Sequence, residues 1–233
     1  MKLRKSLFFI LLFSLLSSFS FLIQTQSPNT IINGVYKKMM KAKDYSVQAT
    51  IKVDLPFIRM MPVEAQIYFK QKDKFRVISK GIAIIPRQGF DQLTRMLKDT
   101  TSFTAVNSGS EIIGNASTTI ISVIPSADTS DLILGKLWID IKQNIVLKSQ
   151  LTTKSNGTIL TEYTYGTQVE YGLPDNMVFT VDVKKFKIPK SVAADINNSK
   201  KADSKADKKK GKIYIKLYNY KVNKGIPDDI FKK

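Results

Sequence analysis

The sequence predicts an α+β protein built on a single strongly curved antiparallel sheet, an incomplete and half-open β-barrel. Two short amphipathic helices are expected to cover the open side of this barrel. Most of the chain beyond the N-terminal segment alternates apolar and polar residues with the period of two that is typical of strands, whereas only two stretches have helical spacing. Several strands also carry apolar residues on both faces, which favours a curved sheet with a lined interior over a flat sheet with one solvated face.

The N-terminal segment has the pattern of an export signal. Lys2, Arg4 and Lys5 precede an apolar run over residues 7–23 that only serines interrupt. A short basic start followed by such a run is typical of a secretory signal peptide. We predict a signal peptide over residues 1–20, cleaved after Ser20 or as late as residue 27, and a periplasmic protein. Since a run of roughly 17 residues is the shortest that spans a bilayer, an uncleaved anchor in the inner membrane is the alternative.

The remaining residues 28–233 are predicted to form one domain with a composition that excludes most catalytic centres. The chain has neither His nor Cys, which removes Ser-His-Asp and Cys-His systems and the usual zinc sites. Segment 109–114 has the glycine spacing of a P-loop, but Asn115 and Ala116 replace the required Lys and Ser/Thr, so we predict a β-turn region there. Asp128 and Asp131 lie in a turn-like segment, where capping is the expected role. We therefore predict no enzyme, no cofactor and no metal site.

The first predicted helix begins at Pro28, with Ser27 as its N-cap, and ends near Asp44. Its apolar residues recur at helical spacing and its lysines lie on the other side. From Tyr45 to Leu55 the period changes to two, which predicts the first strand. The apolar residues of the helix are Ile31, Ile32, Val35, Tyr36, Met39 and Met40.

An apolar loop bounded by Pro56 and Pro62 separates this strand from strands predicted over residues 63–71 and 75–79. Such a loop is unusual, because loops normally face water. A second amphipathic helix is predicted to begin at Gly89 and to end near Asp99. We expect the loop and this helix to form a mobile lid over the concave face of the sheet, since methionine suits adaptable binding surfaces; completion of the core is the alternative. The predicted ligand-binding residues are Phe57, Ile58, Met60, Met61, Phe90, Leu93, Met96 and Leu97.

The second half of the chain is predicted to be a series of strands. The pair Asn156-Gly157 predicts a type I′ hairpin, because two β-patterned arms flank it. An insert over residues 197–212 contains no hydrophobe larger than Ala and cannot offset its ordering entropy by burial, so we predict that it is disordered. The predicted strands cover residues 103–106, 120–124, 135–141, 145–153, 159–165, 177–188 and 212–222.

The chain is strongly basic, with a formal net charge of +18. Removing the three N-terminal cations and the net +5 of the insert leaves about +10 on the predicted domain. A basic exported protein is suited to anionic membrane surfaces. Nucleic acid is not an expected partner, because no aromatic-basic motif accompanies the charge.

Two segments resemble the superfamily of the periplasmic lipoprotein carrier LolA and related lipoprotein-sorting proteins. Residues 137–148 read Leu-Trp-Ile-Asp-Ile-Lys-Gln-Asn-Ile-Val-Leu-Lys, and residues 218–228 read Tyr-Asn-Tyr-Lys-Val-Asn-Lys-Gly-Ile-Pro-Asp, followed by Ile230 and Phe231. The resemblance implies an incompletely closed barrel whose apolar interior holds acyl chains. Arg76 fits the Phe-Arg pair of that family.

The sequence departs from the family pattern at one position that bears on function. Gln71-Lys72 stands where the carriers have an Arg-Pro pair whose Arg is tied to ligand handling. The leading hypothesis is an exported carrier, expected to be monomeric, that binds lipid or lipoprotein acyl chains, with envelope lipoprotein sorting as its role. A protein-interaction or envelope-stress-sensing module on the same fold is the alternative. A surface-adhering basic protein that binds anionic headgroups or polysaccharide is a third hypothesis.

Overall fold

A computed structural model of the protein describes residues 26–56, 58–72, 74–81, 83, 85, 93–182 and 210–232. The helices in these ranges are α1 (Pro28–Met39) and α2 (Leu93–Lys98), with short 3-10 turns at Val169–Tyr171 and Asp228–Phe231. None of the described helices is both long enough and apolar enough to cross a membrane. The strands are β1 (Asp44–Leu55), β2 (Ile58–Arg59), β3 (Val63–Lys70), β4 (Lys74–Ser79), β5 (Phe103–Ile113), β6 (Ala116–Pro125), β7 (Leu132–Asp140), β8 (Ile145–Thr153), β9 (Gly157–Tyr165), β10 (Pro174–Asp182) and β11 (Lys210–Val222).

The strands form one antiparallel sheet in the order β4-β3-β1-β11-β10-β9-β8-β7-β6-β5, and the short β2 pairs with the end of β1. Strands β4 and β5 are the two edges of this order and do not pair with each other, so the barrel stays open. Helix α1 contacts α2, and both contribute buried residues to the same core as the strands. The predicted α+β fold class, a curved half-open sheet with two helices, is confirmed.

The alternation of buried and exposed residues that builds the interior is clearest in β1. In β1 the outward residues Gln48, Lys52 and Asp54 are exposed, as expected for a strand with one wet face. Helix α1 packs its apolar side against this interior and closes it from one side. The inward residues of β1 are Tyr45, Val47, Ala49, Ile51, Val53 and Leu55, all of them buried.

Helix α1 begins as its capping residues predict but ends early. The Oγ of Ser27 accepts a hydrogen bond from the backbone N–H of Thr30 at 3.2 Å, which satisfies one of the N–H groups that a helix start leaves unpaired. The helix stops at Met39, so the prediction of an end near Asp44 is wrong. The next residues leave the helix because their backbone groups bond elsewhere: the N–H of Lys43, for example, donates to Asn223 Oδ1 at 2.7 Å.

The C-terminal motif ties the strand ends together. Asn223 adopts a left-handed φ of 56° and donates to the carbonyl oxygen of Lys41 at 2.9 Å, in addition to its bond with Lys43. The buried carboxylate of Asp44 accepts the backbone N–H of Lys224 at 3.1 Å. The residues that carry the family resemblance at this end therefore have a structural role.

Three local predictions need correction. Segment 109–114 is not a turn region as a whole. Gly109 (φ 111°) lies in an irregularity within β5, and the turn lies at Gly114 (φ 57°). Strands β5 and β6 are longer than predicted because their pairing resumes beyond the irregularity. The Asn156-Gly157 hairpin exists, but a type I′ turn needs positive φ at both residues and only Gly157 (φ 69°) has it. Residues 210–212, predicted as the end of the insert, pair with β10; residues 183–209 lie outside the described ones.

Candidate functional site

A cavity of about 70 Å³ lies inside the curved sheet, below the C-terminal half of α1. Methionine, aromatic and aliphatic side chains form most of its wall, and Thr94 and Asn144 are polar exceptions. Strands β1, β3, β4, β8, β9, β10 and β11 contribute lining residues. The lining residues are Val35, Met39, Met40, Tyr45, Phe69, Phe75, Thr94, Asn144, Ile145, Val146, Tyr163, Tyr165, Gly172, Leu173, Pro174, Met177 and Tyr220.

The cavity is small in this conformation. Sites for drug-sized ligands enclose roughly 300–1,000 Å³, several times the volume found here. Met39, Met40, Phe69 and Phe75 are only half-buried, so part of the wall borders solvent. A chain-like ligand would have to displace parts of this wall, and the flexible thioethers of Met39 and Met40 suit such a change.

Aromatic side chains of several strands point into the interior at the same end of the sheet, and they meet there at the cavity. Tyr45 of β1 pairs in register with Phe69 of β3, and their rings stack with centroids 5.1 Å apart. The ring of Tyr220 on β11 lies 6.0 Å from that of Tyr45. On the opposite wall Tyr163 and Tyr165 of β9 stack at 6.5 Å. At this end of the interior, the four tyrosines present apolar rings and polar hydroxyl groups.

Burial keeps these tyrosines neutral. It raises the pKa of Tyr163 to about 12, and it also raises the pKa values of Tyr45, Tyr165 and Tyr220 above the usual value. Neighbouring tyrosines add to this effect at Tyr165 and Tyr220. At neutral pH the hydroxyls therefore act as hydrogen-bonding groups and carry no charge.

Helix α1 is fixed to the turn between β7 and β8. A Cβ atom at Gly34 would lie 2.3 Å from Asn144 Oδ1, so a larger residue there would require the Asn144 side chain to shift. Lys38 Nζ donates to the carbonyl oxygen of Gln143 at 2.6 Å. Asp140 shapes the turn by accepting the backbone N–H of Gln143 at 3.2 Å. The family-like Trp-Ile-Asp segment thus positions the wall on which α1 rests.

Gln71 takes a structural role at the position where the resemblance expects an arginine. Its side-chain amide donates to the carbonyl oxygen of Met40 at 2.9 Å, so it joins the end of β3 to the segment after α1. Arg76, which fits the family pair, donates to the carbonyl oxygens of Ile230, at 2.6 Å, and Lys232. Both side chains therefore brace the framework around the cavity.

The predicted lid loop is a tight hairpin in the structure. Ile58 belongs to β2 and pairs with Leu55 of β1. Met60 is half-buried and packs against the core, while Met61 is 84% exposed. Phe57 lies outside the described residues. Neither Met60 nor Met61, the loop residues whose side chains the structure describes, lines the cavity described above.

The predicted lid helix is present from Leu93, and Phe90 and its predicted start at Gly89 lie outside the described residues. Met96 and Leu97 are 8% and 0% exposed and belong to the core. Among the α2 side chains that the structure describes, Thr94 lines the cavity wall.

The sequence-based prediction missed the residues that line the cavity. Tyr45, Tyr163 and Tyr165 stand in the inward phase of β1 and β9, and they are a detectable signal because a buried tyrosine hydroxyl usually needs a partner. Tyr220 is out of phase with the buried residues Ile213, Ile215 and Leu217 of β11 and faces the cavity only because of an irregularity at Asn219, where φ is 56°. Their convergence depends on strand order, which local patterns do not contain.

The acidic residues outside the cavity bear on whether the protein could hold a metal ion. The described residues contain no group of three or more Asp or Glu residues that could hold one. Asp131 accepts hydrogen bonds from the N–H and Oγ of Ser155, at 3.0 and 2.7 Å, so this carboxylate joins its own segment to the turn between β8 and β9.

No protein-family model and no curated protein matches the sequence. Solved structures do match in three dimensions. A LolA superfamily protein from Nitrosomonas europaea aligns with a TM-score of 0.58 at 10% identity, covering 90% of this chain and 99% of that one. A DUF1329 family protein from Desulfovibrio piger aligns with a TM-score of 0.55 at 10% identity, covering 89% and 98%.

A third match is a candidate outer membrane lipoprotein-sorting protein domain from Vibrio parahaemolyticus, with a TM-score of 0.51 at 8% identity, covering 88% of this chain and 97% of that one. Identities this low show a shared fold and no more. The chain has a LolA-like fold, and the resemblance seen in its sequence is confirmed at that level.

Proposed function

We propose that this protein is an exported, periplasmic carrier that holds lipid or lipoprotein acyl chains inside its half-open barrel, with lipoprotein sorting in the envelope as its role. The observation that carries the proposal is the apolar cavity enclosed between α1 and the inward faces of β1, β9, β10 and β11. The basic start and apolar run of residues 1–23 support export. The lack of His and Cys supports binding without catalysis or a cofactor.

The energetics of such binding are simple. Each buried CH₂ group contributes about 0.8 kcal/mol, so an apolar interior holds an acyl chain without specific polar chemistry. The interior must first enlarge, because about 70 Å³ is too small for such a chain. We propose that α1 and the predicted lid move away from the sheet when an acyl chain enters. The lid comprises the loop from Phe57 to Met61 and the helix from Phe90 to Leu97.

The test is native mass spectrometry of the protein purified from its own envelope. A carrier retains lipid, which adds a defined mass that disappears after delipidation. The delipidated protein should then take up a fluorescent fatty acid as a monomer. A protein that carries no added mass and fails to take up the probe would contradict the proposal.

Anionic membrane surfaces are a second proposed partner, because the net charge of +18 favours them. Binding to anionic vesicles should weaken steeply with salt, since exposed charges are screened over about 8 Å at physiological ionic strength. Binding that is unaffected by salt, or equally strong to neutral vesicles, would contradict this part.

A protein-interaction or envelope-sensing module on the same fold is the alternative function. Edge strand β5 favours it: among the described strands it pairs with β6 alone, and a strand edge of this kind can accept a further strand. Val106 and Ile112 on this strand are exposed, Ile112 to 74%. Replacing both by Ser should abolish partner binding in this alternative while leaving lipid uptake intact in a carrier.

A further inference from the structure

One hydroxyl in the cavity wall differs from the other three. Tyr163 shares a hydrogen bond with Ser149 at 3.0 Å. Tyr165 donates to the carbonyl oxygen of Val146 at 2.8 Å, and Tyr220 donates to that of Pro174 at 2.7 Å.

The hydroxyl of Tyr45 has no hydrogen-bond partner among the described residues, although the residue is only 9% exposed. Within the same residues, no fully enclosed side-chain oxygen lacks a partner. The Tyr45 hydroxyl must therefore border open space, and the space that this residue lines is the cavity. Burial raises the pKa of Tyr45, so the group is a neutral donor that leaves a bond to be completed by an occupant of the cavity.

A group of exposed lysines lies at the same end of the molecule. Asn223 joins the backbone of Lys41 and Lys43, and the N–H of Gln71, next to Lys72, donates to the carbonyl oxygen of Lys43 at 2.9 Å. We call this surface the basic end. It comprises Lys37, Lys41, Lys43, Lys72, Lys221 and Lys224, all of them exposed.

Few acidic groups offset the positive charge of the basic end. None of its lysines forms an ion pair within the described residues. The carboxylate of Asp44 accepts backbone N–H groups, and Asp228 already pairs with Lys70 and Lys74 at 2.7 and 2.8 Å. Asp140 serves its own turn, Glu170 lies in the 3-10 turn that contacts α1, and Asp73 lies between Lys72 and Lys74 in sequence.

The unpaired hydroxyl and the basic end are adjacent. Tyr45 follows Lys43 by two residues and stands opposite Val222 of β11, next to Lys221. Two cavity-lining residues, Met40 and Tyr220, are each followed directly by a lysine of the basic end. The wall of the cavity near Tyr45 is therefore next to the basic end in the chain, although none of its lysines lines the cavity itself.

We propose that the ligand is an acylated molecule with an anionic head group, seated with its acyl carbonyl on the Tyr45 hydroxyl and its head group at the basic end. The acyl chain extends from there into the apolar interior. This inference rests on the proposed function and specifies the class and direction of its ligand.

The test compares three probes that share a sixteen-carbon chain: hexadecane, methyl palmitate, and a palmitoyl lysophospholipid with an anionic glycerol phosphate head. Tyr45→Phe should weaken binding of the two carbonyl-containing probes about threefold to tenfold, the usual worth of one hydrogen bond, and leave hexadecane unchanged. The matched control is Tyr165→Phe, whose hydroxyl is already paired, and it should not alter the preference among the probes.

A second pair of variants tests the head group. The basic-end variant should weaken only the anionic probe, and this loss should shrink as salt is added. A triple control of equal charge change on the outer face of the sheet should have no effect. The basic-end variant is Lys41→Gln with Lys43→Gln and Lys224→Gln, and the control is Lys52→Gln with Lys212→Gln and Lys216→Gln.

The outcomes are separable. If the wild-type protein binds none of the three probes, the proposed function itself fails. If it binds all three, but Tyr45→Phe weakens them equally or not at all, the carbonyl contact is overturned. If the two lysine variants behave alike towards the anionic probe, the assignment of the head group to the basic end is overturned.

Discussion

The side-chain amide of Gln71 donates a hydrogen bond to the carbonyl oxygen of Met40 over 2.9 Å, joining two walls of the cavity. Gln71→Ala should lower stability by about 1 kcal/mol, which corresponds to roughly 2–4 °C in melting temperature for a chain of this size. It should also speed the entry of a fluorescent fatty acid, because the segment after α1 loses a tether. Gln66→Ala on the same strand is the control, and equal effects of the two variants would contradict the role of Gln71.

The contact between α1 and the β7–β8 turn allows the proposed opening to be blocked. A Cβ atom at Gly34 would lie 3.9 Å from the Cβ of Asn144, within the range of about 3.5–4.5 Å that a disulfide requires. Because the chain has no cysteine, Gly34→Cys with Asn144→Cys introduces a single pair. The oxidised variant should fail to take up a fatty acid, and reduction should restore uptake.

Each single cysteine variant serves as a control for this experiment, since Asn144 has a left-handed φ of 53° that cysteine tolerates less well. Undiminished uptake by the fully oxidised variant would show that α1 does not move during entry.

The lid proposal is tested on α2. Met96→Ser with Leu97→Ser should weaken fatty acid uptake but leave the global unfolding transition nearly intact, because a lid can undock while the sheet stays folded. Met61→Ser, at an exposed position, should alter stability little. If Met96 and Leu97 act only as core, the double variant should cost several kcal/mol and the folded fraction should bind normally.

The ion pairs of Asp228 predict that the stability of the protein depends on pH in the acidic range. Lys70 and Lys74 lower the pKa of Asp228 to about 2 through their hydrogen bonds. A carboxylate with a lowered folded-state pKa stabilises the protein above its unfolded pKa, near 4, and this contribution is lost as pH falls through about 2. Asp228→Asn should therefore melt slightly below the wild-type protein at pH 6.

This difference between Asp228→Asn and the wild-type protein should disappear near pH 2. Because Asp228 is exposed, the effect should be small. Thermal unfolding measured from pH 6 to pH 2 checks it, with Asp229→Asn as the neighbouring control. A difference that persists unchanged at pH 2 would contradict the ion-pair explanation.

We expect the protein to tolerate deletion of its Lys-rich insert. Replacing residues 197–209 by a short Gly-containing turn should leave the melting temperature within a few degrees, because the cost of closing a loop changes slowly with its length. Strand β11 begins at Lys210 and must be kept. A large drop in melting temperature would show that the lysines of the insert pack or pair in the folded protein.

The amino-acid sequence by itself determined the fold class of this protein. The period of two along β1, the capping residues at Ser27 and Pro28, and the Trp-Ile-Asp segment ending at Asp140 are local features, and local backbone preferences and burial on one face specify them. The same locality explains the errors at the helix end near Asp44 and at the Asn156 turn. Both depend on hydrogen bonds or backbone angles that neighbouring elements impose.

Tertiary structure alone decided where the cavity lies and which side chains line it. Tyr45 and Tyr220 are 175 residues apart in the chain, yet their rings lie 6.0 Å apart because β1 and β11 are neighbours in the sheet. The same strand order brings Lys43 next to Asn223 and makes one end of the protein basic. Periodicity records which face of a strand is buried, but the partner across a sheet is set by long-range pairing, which no local pattern encodes.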